Sequence, residues 1–180
     1  MRMYNYRIYP REKHQARLFK IFDASTSVWN DLLEKKSSAW KENKESLNRK
    51  QLYKLISQSS KRNELYKKGN SHIYQNTAVR LLDSYTGFFS RCKNPTFRGK
   101  KKGYPKEKKR SYSITFPEYG NGCKIDGKKV WLSKVGSFPI VLHRELPLDT
   151  EKIKTVTIKR KPSGKWFACF ALDIESENVI

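Results

Sequence analysis

Residues 153–174, IKTVTIKRKPSGKWFACFALDI, decide the fold. β-Branched and aromatic residues dominate two runs in this stretch, 153–160 and 166–174, and a Pro-Ser-Gly sequence at 162–164 separates them. Runs of this kind favour strands and the residues between them favour a turn, so the stretch predicts a long β-hairpin.

Shorter runs of similar character come before the hairpin in the chain. Strands are predicted at 112–116, 123–125, 129–132 and 138–142, with an Asp-Gly pair at 126–127 as a tight turn between the second and third. Five or six short strands that follow a helical block predict a small antiparallel β-barrel or sandwich, and therefore an α+β fold.

The chain also opens with a strand. Residues 2–9 alternate in character, and Pro10, which cannot continue a ladder of hydrogen bonds, closes them. Because this strand stands alone before the helices, we expect it to return and pair with the C-terminal strands. The helical block is then an insertion into the barrel.

Three amphipathic helices are predicted between the first strand and the others. Apolar residues recur every three or four positions over 12–40, more weakly over 48–57, and most clearly over 71–92. The apolar side of the third helix is predicted to be core, which leaves its polar side either for recognition or merely solvated. That polar side carries His72, Gln75, Asn76, Arg80 and Asp83.

The charge of the chain points to a polyanionic ligand. It has 39 Lys and Arg against 17 Asp and Glu, a formal net charge of +22. Domains of this size usually carry a net charge of only about 2 to 8 in magnitude, and basic ones gather charge where phosphates dock. The N-terminal residues contain no apolar run long enough for a signal peptide or membrane span, so we expect an intracellular setting without a membrane partner.

The densest positive charge lies in residues 91–110, which hold ten basic residues and one acid. Glycines and prolines interrupt this stretch, which predicts a flexible loop. Cations beside tyrosine rings suit single-stranded or irregular RNA, and a solvated linker is the alternative. The candidate contacts in and beside it are Arg98, Lys100, Lys101, Lys102, Tyr104, Lys106, Lys108, Lys109, Arg110 and Tyr112.

No catalytic or metal site is predicted. The three cysteines and three histidines are scattered, which fits neither a disulfide framework nor metal-ligand spacing, and no cofactor is indicated. Asp173, Glu175 and Glu177 alternate near the end of the last predicted strand, and we interpret them as its solvated face.

Eight short sequences in order resemble the N-terminal half of the TnpB (OrfB) family, the transposon-encoded RNA-guided nucleases related to type V CRISPR effectors. Each is weak alone, but their order and spacing over nearly the whole chain are specific. They are YRIYP at 6–10, VWNDLL at 28–33, QN at 75–76 with the aromatic residues that follow, KGYP at 102–105 with the basic residues after it, LSKVG at 132–136, HR at 143–144, KTVTI at 154–158 and GKWF at 164–167.

The resemblance implies a wedge-type barrel interrupted by a helical recognition lobe. The implied divisions are a first strand at 1–10, the lobe at 11–93, and the basic loop with the barrel at 94–180. In the family these parts hold a guide RNA and recognise a short motif beside the double-stranded DNA target. The resemblance adds Lys134, His143 and Arg144 as candidate nucleic-acid contacts, and it implies a prokaryotic, cytoplasmic and nucleoid-associated protein.

Gln75 is the strongest candidate for base recognition. The family uses a glutamine at the matching place, and Gln and Asn can bind an adenine edge through two hydrogen bonds. Asn76 and Arg80 are weaker candidates on the same helix.

The sequence departs from the family by ending at Ile180, where the RNase-H-like nuclease would begin. We therefore expect either a fragment or a naturally shortened relative that is not itself an enzyme, with a separate or downstream nuclease portion as one expected partner. The alternatives are a double-stranded DNA-binding protein that needs no RNA, of the transposase-accessory or repressor type, and a nuclease with an unrecognised site.

Overall fold

The computed structural model describes residues 1–97, 103–146 and 152–173. Across these residues the chain forms three α-helices, two short 3₁₀ helices and seven β-strands. The elements in chain order are β1 (Arg2–Ile8), α1 (Glu12–Asn43), α2 (Arg49–Arg62), a 3₁₀ helix (Glu64–Lys68), α3 (Ser71–Lys93), a second 3₁₀ helix (Pro95–Phe97), β2 (Ser113–Phe116), β3 (Cys123–Asp126), β4 (Lys129–Leu132), β5 (Gly136–Val141), β6 (Ile153–Arg160) and β7 (Trp166–Leu172).

The described strands form one nearly closed antiparallel barrel. Their order is β2-β6-β7-β1-β5-β4-β3, and every pair of neighbours is antiparallel. The β6–β7 hairpin has the turn predicted at 162–164, where Gly164 adopts a φ of 81°. The predicted α+β fold, a small antiparallel barrel with an inserted helical lobe, is confirmed.

β1 occupies the middle of this sheet. It pairs with β7 from Arg2 to Ile8, and its C-terminal end also pairs with β5. Tyr6 and Ile8 point into the barrel and are almost completely buried, as the period of two in the sequence requires. The first strand therefore returns to the C-terminal strands as predicted.

The helical lobe packs on the barrel through α1. The rings of Phe22 on α1 and Trp166 on β7 stack at a centroid distance of 5.8 Å. Within the lobe, α1 and α3 face each other, and a buried hydrogen bond of 3.0 Å joins the Ser25 and Thr77 hydroxyls. These contacts fix the two longest helices against each other and against the sheet.

Capping residues set the helix boundaries. The Asn48 side chain accepts a hydrogen bond from the backbone N–H of Gln51, and the Gln51 side chain bonds back to Asn48, so α2 begins with a reciprocal cap. Lys44 ends α1 in a left-handed conformation with a φ of 55°. α2 runs five residues beyond its predicted end. The prediction stopped early because Leu52 and Ile56 are the buried residues of this helix, and a pattern of apolar positions does not detect the turns after them.

Further details differ from the sequence prediction. Tyr112 lies outside β2, and Phe89, predicted to be core, is 54% exposed at the C-terminal end of α3. Within the described residues, no helix combines the length and the apolar character needed to cross a membrane.

Candidate nucleic-acid interface

The basic segment after α3 is held against α1 over its described part, residues 103–112. The indole Nε1 of Trp29 donates a hydrogen bond of 3.0 Å to the carbonyl of Lys106. Asn30 accepts a hydrogen bond from the backbone N–H of Lys108 and donates one to its carbonyl, both at 2.9 Å. The segment has no helix or strand, as predicted, but three side-chain hydrogen bonds from one helical turn fix its path. The predicted loop is therefore anchored to α1 over this part, and its flexibility stays a prediction.

The side chain of Lys108 also contacts Trp29. Its ammonium nitrogen lies 3.7 Å from the centroid of the Trp29 ring, within the range of a cation–π interaction. Partial burial and the neighbouring Arg80 charge lower the pKa of Lys108. Burial lowers the pKa of Arg80 as well. Two neighbouring cations that are both partly desolvated favour the approach of an anion.

A cleft of about 320 Å³ brings together four of the predicted contact residues, and we call it the Arg80 cleft. It lies between α1, α3 and the basic segment. The Arg80 guanidinium reaches across it to donate a hydrogen bond to the Thr115 hydroxyl on β2. Its lining is Ser25, Trp29, Thr77, Arg80, Lys108, Arg110, Ser111, Tyr112 and Ser113.

Gln75 lies in a different and larger cleft of about 730 Å³, which we call the Gln75 cleft. No described residue forms a hydrogen bond with the side-chain amide of Gln75, which leaves its donors and acceptor available to a ligand. The lining is Tyr53, Ile56, Ser57, Ser60, Lys61, Tyr66, Lys67, Gly69, Asn70, Ser71, His72, Tyr74, Gln75, Asn121 and Lys134.

The barrel closes one side of the Gln75 cleft. Asn121, in the connection between β2 and β3, lies 3.2 Å from the ring nitrogen of His72 on α3. The adjacent Gly122 has a φ of 89°, and a Cβ there would lie 2.5 Å from the Asn70 side chain, so only glycine permits this approach. The cleft is therefore built from both the lobe and the barrel.

Lys134 also belongs to the Gln75 cleft, but much of its side chain is used internally. Its ammonium donates to the carbonyls of Lys67 at 2.7 Å and Gly69 at 3.0 Å. The turn between β4 and β5 thus holds the chain that leads into α3. Lys134 has a positioning role here in addition to its predicted role as a nucleic-acid contact.

Tyr104 packs in an aromatic cluster rather than presenting its ring alone. Its ring lies edge-on to Tyr85 at 5.5 Å and to Phe88 at 5.2 Å, and the Tyr85 and Tyr104 hydroxyls are 3.0 Å apart. Tyr104 remains 48% exposed, beside exposed Phe89 and Trp40. The cluster, at the C-terminal ends of α1 and α3, is a partly open aromatic surface.

His143 and Arg144 lie on another part of the barrel. The Arg144 guanidinium is 4.4 Å from the Tyr4 ring centroid. The backbone carbonyl of Arg144 accepts a hydrogen bond of 3.2 Å from the Tyr6 hydroxyl. His143 contacts the Tyr6 ring. Neither residue lines the clefts described above, so the structure does not bring this pair together with the other predicted contacts.

The remaining predicted contacts are exposed or lie outside the described residues. Asn76 on α3 is partly exposed, and Lys106 and Lys109 of the basic segment are exposed. Arg98, Lys100, Lys101 and Lys102 lie outside the described residues, as do Glu175 and Glu177. In the part of the chain that the structure describes, no three His, Cys, Asp or Glu side chains are grouped to hold a metal ion.

Several residues of these surfaces escaped the sequence analysis. Trp29 and Asn30 appeared only as part of a family signature, although a tryptophan followed by a polar amide on an amphipathic helix is a usable signal. Tyr53 was hidden in the weakest helical pattern, and its place in the Gln75 cleft depends on how α2 packs. Four cations that group with the predicted contact Lys134 were also missed: Arg17, Lys20, Lys67 and Lys68.

Comparison with known proteins agrees with the resemblance. Residues 1–45 match the helix-turn-helix domain of OrfB proteins. A curated Streptomyces pristinaespiralis protein, described as a candidate RNA-guided DNA endonuclease, is 26% identical over 170 residues. The resemblance to the N-terminal half of the TnpB/OrfB family is thereby confirmed. The alignment covers 92% of this chain and 40% of the relative, so the chain spans less than half of the relative's length.

The region that matches the OrfB domain has an informative structure. Residues 1–45, all of which are described, consist of β1 and the 32-residue helix α1. A recognition helix that follows a short turn does not occur within them. The docking geometry of helix-turn-helix proteins on DNA therefore cannot be transferred to this segment.

Proposed function

We propose that this chain is a nucleic-acid-binding protein that holds a guide RNA and recognises a short motif in double-stranded DNA. The observation that carries the proposal is the division of polar groups around α3. The Arg80 cleft presents cations that the protein has already oriented, whereas the Gln75 cleft presents an amide with no partner among the described residues. Phosphate contacts position a nucleic acid and base contacts specify its sequence, so these clefts suit the two tasks.

The net charge of the chain and its similarity to a known protein support the proposal. A net charge of +22 matches a polyanionic ligand, and the Streptomyces relative is described as a candidate RNA-guided DNA endonuclease. Basic, aromatic-bearing segments suit an RNA scaffold that is recognised by shape and phosphates. The RNA-binding surface that we propose is the basic segment with Lys106, Lys109 and Arg110.

The RNA part of the proposal is tested on the purified protein. We expect the ratio of absorbance at 260 and 280 nm to fall after ribonuclease treatment and repurification, because bound RNA is removed. Sequencing of the copurified RNA then identifies its source. A preparation that binds DNA fully and carries no specific RNA would contradict the guide-RNA proposal.

The base-recognition part is tested with duplexes selected by the protein from a randomised library. Gln75→Ala should weaken binding to the selected sequence by about 1 to 3 kcal/mol and change binding to mismatched duplexes little. Gln58→Ala, a glutamine change at an exposed position on α2, serves as the control and should leave both unchanged. Equal losses on matched and mismatched duplexes would show that Gln75 acts in packing or on the backbone.

A DNA-binding protein that needs no RNA is the second candidate function. The match of residues 1–45 to a helix-turn-helix domain favours it, although the strand-and-helix structure of those residues does not. The two functions differ in one result: ribonuclease treatment abolishes motif-specific duplex binding only in the RNA-guided protein.

We also propose that the chain does not cut nucleic acid by itself. A two-metal nuclease needs converging carboxylates that hold ions about 3.5 to 4 Å apart. Asp173 is exposed at the end of β7, and we interpret it as part of a solvated strand end. Mg²⁺-dependent cleavage that persists through repurification and disappears in Asp173→Asn with Glu175→Gln would contradict this proposal.

A further inference from the structure

A third cleft of about 280 Å³ is lined entirely by basic residues. α1 contributes Arg17 and Lys20, the 3₁₀ helix before α3 contributes Lys67 and Lys68, and the β4–β5 turn contributes Lys134. We call it the cationic cleft. Since these elements are far apart in the sequence, the fold itself concentrates their charge in one place.

Hydrogen bonds from the rim fix the walls of the cationic cleft. The Arg17 guanidinium donates to the Val135 carbonyl at 2.8 Å, which ties α1 to the β4–β5 turn. Lys134 adopts a left-handed backbone conformation with a φ of 62°, and its ammonium holds the carbonyls of Lys67 and Gly69. The cleft is therefore a preformed concavity and not a chance approach of mobile side chains.

Most of the charge of the cleft has no acidic partner among the described residues. Lys67 pairs with Glu64 on the exposed side of the 3₁₀ helix, but no described residue forms an ion pair or hydrogen bond with the ammonium groups of Lys20 and Lys68. Like charges held together repel, and a bound anion relieves that repulsion. A phosphate is the anion that such a group of Lys and Arg suits.

The position of the cleft identifies which phosphate it would hold. Lys67 and Lys134 line both the cationic cleft and the Gln75 cleft, so the two concavities share a wall. We propose that the cationic cleft binds a backbone phosphate of the DNA duplex whose base edge lies in the Gln75 cleft. This inference rests on the proposed function, because Gln75 defines which nucleic acid is meant.

The arrangement would set the register of recognition. A phosphate held by the cationic cleft fixes the duplex backbone at a defined position beside Gln75, so that the amide meets one base pair only. The phosphate contact itself carries no sequence information and contributes equally to every duplex. The two clefts should therefore respond differently to mutation.

The test compares two double variants that lose equal charge. Lys20→Ala with Lys68→Ala removes the two cleft lysines that have no described partner, and Lys128→Ala with Lys129→Ala removes two exposed lysines of the β3–β4 hairpin. Binding of the selected duplex is measured by fluorescence anisotropy between about 50 and 200 mM salt. We expect the cleft variant to lower the slope of log affinity against log salt by about 0.9, the value for one phosphate contact on duplex DNA, and the hairpin variant to change it much less.

Further readouts separate this site from its neighbours. The cleft variant should keep the matched-to-mismatched affinity ratio, the thermal unfolding midpoint and the salt slope for copurified RNA. Equal salt slopes in the two variants would overturn the proposal. A decrease of the salt slope that is confined to RNA, or that is equal on RNA and DNA, would also overturn it. If Gln75→Ala has no effect on base preference while the cleft variant still lowers the slope on duplex DNA, the phosphate site stands and base recognition by Gln75 fails.

Discussion

The Arg80 cleft and the Gln75 cleft use the same helix in opposite ways. In the Arg80 cleft, the basic side chains already have partners within the protein. Arg80 donates a hydrogen bond to Thr115, and Lys108 lies on the Trp29 ring. In the Gln75 cleft, the central amide has no hydrogen-bond partner among the described residues. α3 thus presents oriented charge at one cleft and uncommitted hydrogen-bonding capacity at the other.

The difference teaches how a protein can separate affinity from specificity. Oriented cations need little reordering when a phosphate arrives, so they favour binding of any sequence. An amide without an internal partner gains hydrogen bonds only when the correct base edge faces it. The predictions below test whether the two clefts can be altered independently.

The largest effect is expected from Trp29→Ala. Trp29 is 6% exposed, and its loss removes a buried ring, the hydrogen bond to Lys106 and the support for Lys108. We expect the free energy of unfolding to fall by about 3 to 5 kcal/mol, measured by denaturant titration. Trp29→Phe, which keeps a ring but not the indole N–H, should lose much less. Equal losses in the two variants would assign the effect to the hydrogen bond alone.

A smaller effect is expected from Asn30→Ala, which frees the backbone of Lys108 without disturbing the core. Two solvent-exposed hydrogen bonds are lost, so we expect the free energy of unfolding to fall by about 1 to 2 kcal/mol. Binding should weaken equally on matched and mismatched duplexes, because only the Arg80 cleft changes. A change in base preference would show that the clefts are coupled. Asn30→Asp keeps the acceptor but not the donor and should fall between Asn30→Ala and the unchanged protein.

The smallest effect is expected from Lys108→Met, which removes charge while its unbranched side chain still packs on Trp29. The salt slope should fall by about 0.7 for single strands or about 0.9 for duplex DNA, with the unfolding free energy nearly unchanged. Lys129→Met on the β3–β4 hairpin is the charge-matched control. An unchanged slope relative to that control would mean that Lys108 only anchors the segment.

The sequence predicted most of the fold because its signals are local. Alternation marks the strands, and a period of three to four marks the helices, so the barrel with its inserted lobe follows from 153–174 outward. The return of β1 was predictable because an isolated strand needs partners. The exposure of Phe89 was not predictable, because helical periodicity assigns a residue to one face of a helix. It does not show where the neighbouring element that covers this face ends.

The sequence predicted residue types of the interface better than their arrangement. It indicated Arg80, Lys108, Arg110 and Tyr112 separately, and only the packing of α1, α3 and the basic segment shows that they share a cleft. It could not anticipate that Trp29 and Asn30 hold that segment. Contacts between residues about 77 positions apart depend on tertiary structure, which local patterns do not encode.

The central place of β1 has a consequence for synthesis of the chain. Its partners β5 and β7 are completed only at Val141 and Leu172, so the first strand made is among the last to be paired. At translation rates of about 5 to 20 residues per second, the strand waits roughly 7 to 27 s with both edges open before β5 is complete. The contacts that α1, α2 and α3 make with one another lie within 11–93, so these helices can pack together during that interval. A ribosome that stops before β7 is finished releases a chain with an open sheet edge, which exposes it to aggregation.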